Sequence, residues 1–193
     1  MSEKQLIELL KDADESAFRQ IVDTYQMVVY NTCLGMLHDE AAAKDLSQEV
    51  FIELFRSVHK FRGDSKLSTW LYRIAINKSL NYIRDNKKHS LLKSVQRFFI
   101  GEKEEAMQIV DYSARNPQEL SEQDDHSKAL HQALDNLPEN QKTAFVLKNY
   151  DDLSYKEISE VMELSVSSIE SLIHRARMNL QKGLKDYYVE NFG

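Results

Sequence analysis

Apolar residues recur along this chain at the spacing of helix faces. Leu46, Val50, Phe51, Leu54, Phe55 and Val58 return at intervals of three and four, predicting one inward stripe on a helix over 42–58. Tyr72, Ala75, Ile76, Leu80 and Ile83 repeat the pattern, as do Leu130, Ala133, Leu134 and Leu137. No comparable stretch alternates with period two, and no long-period repeat is present. The pattern weakens between Phe99 and Lys128, where Asn116-Pro117 interrupts any helix. The expected fold is all-α. Two helical domains, residues 1–90 and 129–193, are joined by an acidic flexible linker over 91–128, with room for a short helix in it.

Composition agrees with that architecture. The 193 residues suffice for one or two domains with their own cores. Five Gly and two Pro are few for a β-sandwich or barrel, which needs many tight turns. The single cysteine, Cys33, excludes an intramolecular disulfide. It lies in the apolar run Met27–Leu37, which favours a buried small hydrophobe over a reactive thiol. The first residues lack the basic and apolar regions of a secretory signal, and no stretch approaches a membrane helix. A cytoplasmic protein without direct membrane insertion is expected.

The C-terminal third predicts a helix-turn-helix. A helix is expected from Glu139 to about Tyr150, following Pro138. Ser154 and Glu157 form a capping-box pair at the next helix start, and that helix buries Ile158, Val161 and Met162. Glu163-Leu164-Ser165 supplies a short turn. A second capping box, Ser167 with Glu170, is expected at or near the start of the last helix. That helix would turn Val166, Ile169, Leu172, Ile173, Ala176 and Leu180 inward and show Ser168, Glu170, Ser171, His174, Arg175 and Arg177. Such a second helix can enter a DNA major groove by its N-terminal residues. Ser167, Ser168 and Ser171 allow close approach, and Arg175 and Arg177 suit phosphates. The same pattern also fits a plain helical hairpin.

A second informative stretch runs from Phe61 to Ala75. Gly63 and Asp64 suit a loop, and Ser68 or Thr69 can cap the following helix. Arg73, Asn77, Asn81, Arg84 and Lys88 then share one polar face. Aromatics such as Phe61 and Trp70 beside a cationic strip suit single-stranded DNA, with bases on rings and cations along the backbone. Asn is also an adenine reader. Taken alone, Trp70 and Tyr72 are more often core or helix-packing residues.

On the 42–58 helix, Asp45, Gln48, Glu49, Ile52, Glu53 and Arg56 lie opposite the apolar stripe. This face is either solvated or a dock for a basic partner helix. No nucleophile, Gly-rich phosphate loop or metal-ligand spacing accompanies these carboxylates, and His126 and His131 show no zinc pattern. No cofactor and no catalysis are expected.

Taken in order, these motifs resemble the bacterial sigma factors of the small, two-domain extracytoplasmic-function (ECF) group of the sigma-70 family. The resemblance covers roughly residues 10–90 and 128–186. Asp45-Leu-Ser-Gln-Glu-Val-Phe51 resembles the family's helix for binding core polymerase. Ser68-Thr-Trp-Leu-Tyr-Arg-Ile-Ala75 with Asn77 and Arg84 resembles its −10 reading and melting segment. Leu137-Pro138, Leu153-Ser-Tyr-Lys-Glu-Ile158 and Ile173-His-Arg-Ala-Arg177 resemble its −35-reading helix-turn-helix.

The resemblance implies a non-catalytic subunit that binds core RNA polymerase, places it at promoter DNA and assists melting, with an anti-sigma factor as a further partner. It assigns Asp45, Gln48, Glu49, Phe51 and Ile52 to polymerase, Phe51 supporting from inside. It assigns Phe61, Arg62, Trp70, Arg73, Asn77, Asn81, Arg84, Lys87 and Lys88 to the −10 element, with a flipped base captured near Asn77. Ser168, Glu170, Ser171, His174, Arg175 and Arg177 would face the −35 duplex. This chain departs from the family at Asn81, where Asp is common, and at Glu170 and Leu172, where bases are usual. Glu170 cannot bind phosphate; it either accepts from cytosine N4 or caps the helix. A free-standing helix-turn-helix regulator is the rival, and it would need neither the Asp45–Phe51 helix nor the Phe61–Arg84 segment.

Charge then takes on meaning. Lys and Arg total 25 against 31 Asp and Glu, a net −6. The first fifty residues carry −6 and Phe99–Lys128 carry −5, whereas Arg73–Arg97 carry +6. A low total charge predicts weak DNA binding by the free chain, since phosphate contacts dominate non-specific affinity.

Overall fold

The computed structural model describes residues 2–100 and 122–192. Among them every regular element is helical. The order is α1 (Glu3–Lys11), α2 (Glu15–Leu37), α3 (Glu40–Ser57), a 3-10 turn (Val58–Lys60), α4 (Leu67–Ile100), α5 (Glu122–Asp135), α6 (Glu139–Asn149), α7 (Tyr155–Met162) and α8 (Val166–Phe192). Helices α4 and α5 both extend into the stretch expected as linker. Its middle, 101–121 with Asn116-Pro117, lies outside the described residues.

Local chemistry sets the helix starts. Asp14 and Asp39 cap α2 and α3, their carboxylates accepting from the Ala17 and Ala42 amides at 2.9 and 2.8 Å. The left-handed backbone of His38 ends α2 one residue before the α3 cap, so the two helices fold back on each other. Helix α4 begins at Leu67, before the expected caps Ser68 and Thr69. Its Leu67 amide donates to the Glu3 carboxylate, which reaches across from α1 at 3.1 Å. A long-range acid therefore does the work expected of a local hydroxyl.

The first core joins Leu10, Ile21, Val29, Val50, Leu54, Leu67 and Leu71 from α1 to α4. Each such side chain contributes about 1.5–3 kcal/mol relative to exposure. Phe55 departs from the expected stripe. It is 42% exposed and meets Phe18 of α2 edge-on at the surface, while Leu46, Val50, Phe51, Leu54 and Val58 of the same stripe are buried in the first core. Cys33 is fully buried in this core, and burial pushes its thiol up to about 11.

The C-terminal helices build a second core from Ala144, Val146, Leu147, Ile158, Val161, Ile169 and Ile173. Leu134, Leu137, Ala176 and Leu180 extend it between α5 and α8. The second core does not close on itself. Met36 from α2 and Tyr72 and Ile76 from α4 are buried in it, so the two helical units pack against one another.

The turn between α7 and α8 is tighter than the capping pattern implies. Glu163 adopts the left-handed conformation that ends α7. Ser165 then caps α8, its hydroxyl accepting from the Ser168 amide at 3.2 Å. The expected Ser167–Glu170 box is therefore displaced by two residues, and Val166 is 41% exposed instead of inward. The Ser154–Glu157 box forms as expected, with both reciprocal bonds present.

Candidate nucleic-acid interface

Three surfaces assemble the residues singled out above. On α3, Asp45, Gln48 and Glu49 are exposed in a row and Ile52 is 48% exposed. Phe51 lies beneath them, buried in the first core. Beside the row, Phe18, Val22, Ile52 and Phe55 line an open apolar groove between α2 and α3, rimmed by Glu15, Arg19 and Arg56. Lys78 of α4 pairs with Glu49 at 3.1 Å and ties the two helices together.

The second surface is the α4 strip. Asn77, Asn81, Arg84, Lys87 and Lys88 are all exposed, spaced by turns of one helix. At its N-terminal end Phe61 stacks on Trp70 with ring centroids 4.8 Å apart. Phe61 is only 9% exposed. Its ring is packed against Trp70 and the first core. Arg62 is exposed in the loop with Gly63, whose φ of +79° suits glycine. Arg73 points away from the strip toward α7. Its Nη2 donates to the Glu160 carbonyl at 2.6 Å and its Nε to the Val161 carbonyl at 3.2 Å.

The third surface is the outer face of α8. Glu170, Ser171, His174, Arg175 and Arg177 are exposed and Ser168 is half-buried. The Arg175 Nε is folded back onto the Ser171 carbonyl at 3.2 Å. With the cap at Ser165, the Glu170 carboxylate is not engaged in a capping box.

Sequence reasoning missed a set of groups lying between the two helical units. His38 and His131 stack with centroids 4.3 Å apart. Burial, with Lys142 and His131 nearby, pushes His38 down to about 3. Lys142 is itself buried and pairs with Asp135, which also lies 3.7 Å from His38 Nε2. Asp151 packs against α2, both carboxylate oxygens 3.1 Å from Thr32 Oγ1, and burial pushes it up to about 7. Nothing local announces these pairs, since each joins residues far apart in the chain. Among the described residues, no group of three His, Cys, Asp or Glu is placed to hold a metal ion, and no helix is long and apolar enough to cross a membrane.

One all-helical chain thus carries an acidic face on α3, a polar and cationic strip on α4 and a helix-turn-helix over α7 and α8. The comparisons are specific. The family described as Sigma-70 region 2 matches residues 21–89, and Sigma-70, region 4 matches residues 127–180. The RNA polymerase sigma-H factor of Pseudomonas aeruginosa is 33% identical over 187 residues, 95% of this chain and 94% of its own. The ECF RNA polymerase sigma factor SigW of Bacillus subtilis is 33% identical over 183 residues, 95% of this chain and 97% of its own. Among solved structures, CnrH in complex with the cytosolic domain of CnrY aligns with a TM-score of 0.64 at 21% identity, covering 95% and 97% of the chains. RpoE of Bartonella quintana, in complex with the anti-sigma factor NepR, aligns at 0.58 and 20% identity, covering 87% and 96%. The chain belongs to the ECF sigma factors of the sigma-70 family, and it acts in promoter-directed transcription initiation.

Proposed function

We propose that residues 1–90 dock on core RNA polymerase and read and melt the −10 element, while residues 129–193 read the −35 element, with 91–128 between them. The observation that carries this reading is the division of exposed groups on the first unit. Asp45, Gln48, Glu49 and Ile52 present acid and apolar surface on α3, whereas Asn77, Asn81, Arg84, Lys87 and Lys88 present amides and cations on α4. One face suits a protein helix and the other a nucleic-acid strand. The Trp70–Phe61 stack and Arg62 border the strip where an unpaired base would be held. On α8, His174, Arg175 and Arg177 take duplex phosphates, and Glu170 accepts from a base edge.

The protein works in the cytoplasm as a polymerase subunit and catalyses no reaction itself. An anti-sigma factor is its regulatory partner; two proteins of similar fold are seen bound to CnrY and to the anti-sigma factor NepR.

Two variants separate the two faces. Asn77→Ala should leave polymerase affinity unchanged and lower open-complex formation on permanganate footprinting. Glu49→Lys should weaken polymerase binding itself. Equal losses of both properties in a folded Asn77→Ala protein would overturn the assignment.

A further inference from the structure

The place assigned above to an unpaired −10 base is bordered by the loop 61–66, whose two ends are held differently. Phe61 anchors the entry: its ring stacks on Trp70 and its amide donates to the Val58 carbonyl at 3.0 Å. Arg62, Gly63 and Asp64 then run exposed. The exit is the start of α4, where Leu67 is fully buried. Lys66 occupies the cap position there, its carbonyl accepting from the Trp70 amide at 3.3 Å. A lysine side chain offers no acceptor to the free amides of a first turn.

Glu3 supplies that acceptor from 64 positions away. Its Oε1 accepts from the Leu67 amide and its Oε2 from the Tyr25 hydroxyl, each at 3.1 Å. One carboxylate thus joins α1, α2 and the first turn of α4. A carboxylate suits the place, because a helix start carries partial positive charge and an ionised acceptor strengthens the bond. Burial and the Glu3 charge push the Tyr25 hydroxyl up to about 12, so it stays a donor. Glu3 is in turn held in place. Ser2 and Gln5 close a capping box around it, the Ser2 amide donating to Gln5 Oε1 at 2.9 Å and the Gln5 amide to Ser2 Oγ at 3.3 Å. Further along α1, Ile7 and Leu10 are buried in the first core.

We propose that Glu3 is a positioning residue for −10 recognition: it fixes the exit of the loop 61–66 and the first turn of α4, and so the shape of the pocket between Arg62 and Trp70, without touching DNA. The proposal deepens the −10 assignment and rests on it. Pinned at Phe61 alone, the loop would keep its stack on Trp70 but not its exit. A captured base would then lose contacts that the cations Arg84, Lys87 and Lys88, which follow the backbone, do not replace.

The test uses the full chain bound to core polymerase, with non-template-strand oligonucleotides carrying the −10 element found by start-site mapping. Each is compared with versions in which one base is replaced by an abasic site. For the parent, one such replacement should weaken binding and so mark the captured base. Glu3→Ala should bind the intact strand roughly three- to tenfold more weakly than the parent. It should bind the strand abasic at the marked position as well as the parent does, with polymerase affinity unchanged. Glu3→Gln keeps an oxygen for the Leu67 amide and should recover most of the loss. Tyr25→Phe removes only the second tether and should fall between the parent and Glu3→Ala. Where Glu3→Ala does not fold, Tyr25→Phe is read against the same pair of strands. Equal losses on the intact and abasic strands, or no loss on either, would overturn the positioning role. The absence of any abasic penalty in the parent would instead overturn the −10 base capture on which it rests.

Discussion

The Arg84 guanidinium meets the Glu139 carboxylate as a two-pronged fork, Nε to Oε1 at 3.0 Å and Nη2 to Oε2 at 2.6 Å. This is the geometry with which arginine also grips phosphate. Arg84 holds the Glu139 carboxyl below the usual carboxylate range. Both side chains are about half exposed, so the pair is a weak, salt-sensitive latch beside the apolar contact of Tyr72 and Ile76.

The fork makes a graded series testable. With the full chain labelled for energy transfer at Asp23→Cys and Met178→Cys, both exposed positions, transfer reports the packing of the two units. Arg84→Lys keeps the charge but loses the planar pair of donors, so transfer should fall slightly. Arg84→Glu should lower it further through repulsion. Combining Arg84→Glu with Glu139→Arg should restore most of the transfer, because the pair is rebuilt in reverse.

Closure of the two units on each other also responds to pH through Asp151. The closed chain keeps this carboxyl protonated up to about 7, whereas a solvated Asp releases its proton near 3.8. Closing thus takes up a proton between those values, and closure weakens as pH rises through about 7. Thr32, Cys33 and Tyr72 face the group. Burial pushes both Cys33 and Tyr72 upward, so they stay neutral there. His38 acts in the opposite sense. Its ordinary value of 6.5 falls to about 3 on burial, with Lys142 and His131 adding to the fall, so its opposition grows below 6.5. In the window from 6.5 to roughly pH 8, energy transfer should decline as pH rises. Asp151→Asn should flatten that decline.

The cap of α8 distinguishes two nearly equivalent serines. Ser165→Ala removes the acceptor for the Ser168 amide and should cost about 1 kcal/mol on denaturant unfolding. Ser167→Ala should stay within about 0.5 kcal/mol of the parent. The reverse order would return the cap to Ser167 and engage Glu170 in it.

The helices were legible in the spacing of Leu46, Val50 and Leu54, of Tyr72, Ala75 and Ile76, and of Ile169, Ile173 and Ala176, because one apolar stripe per helix suffices to announce it. The Ser154–Glu157 box was legible for the same reason, being local. The stripe places Phe55 and Val166 inward although both are exposed, because periodicity marks a face and not how far a neighbouring helix covers it. The seam between the units escaped notice because α2 and α4 each bury two stripes. Val29 and Cys33 face the first core, while Met36 faces the second. The contacts of Arg73 with α7 and of Arg84 with α6 are invisible in the spacing, since their partners lie 88 and 55 positions away.

Reconstituted transcription tests the central claim most directly. Purified chain is added to core RNA polymerase on a library of duplex promoters, and transcript start sites are sequenced. The account predicts new starts downstream of one shared pair of −35 and −10 elements, lost with Glu49→Lys and reduced with Asn77→Ala. Transcription no different from that of core polymerase alone would contradict it.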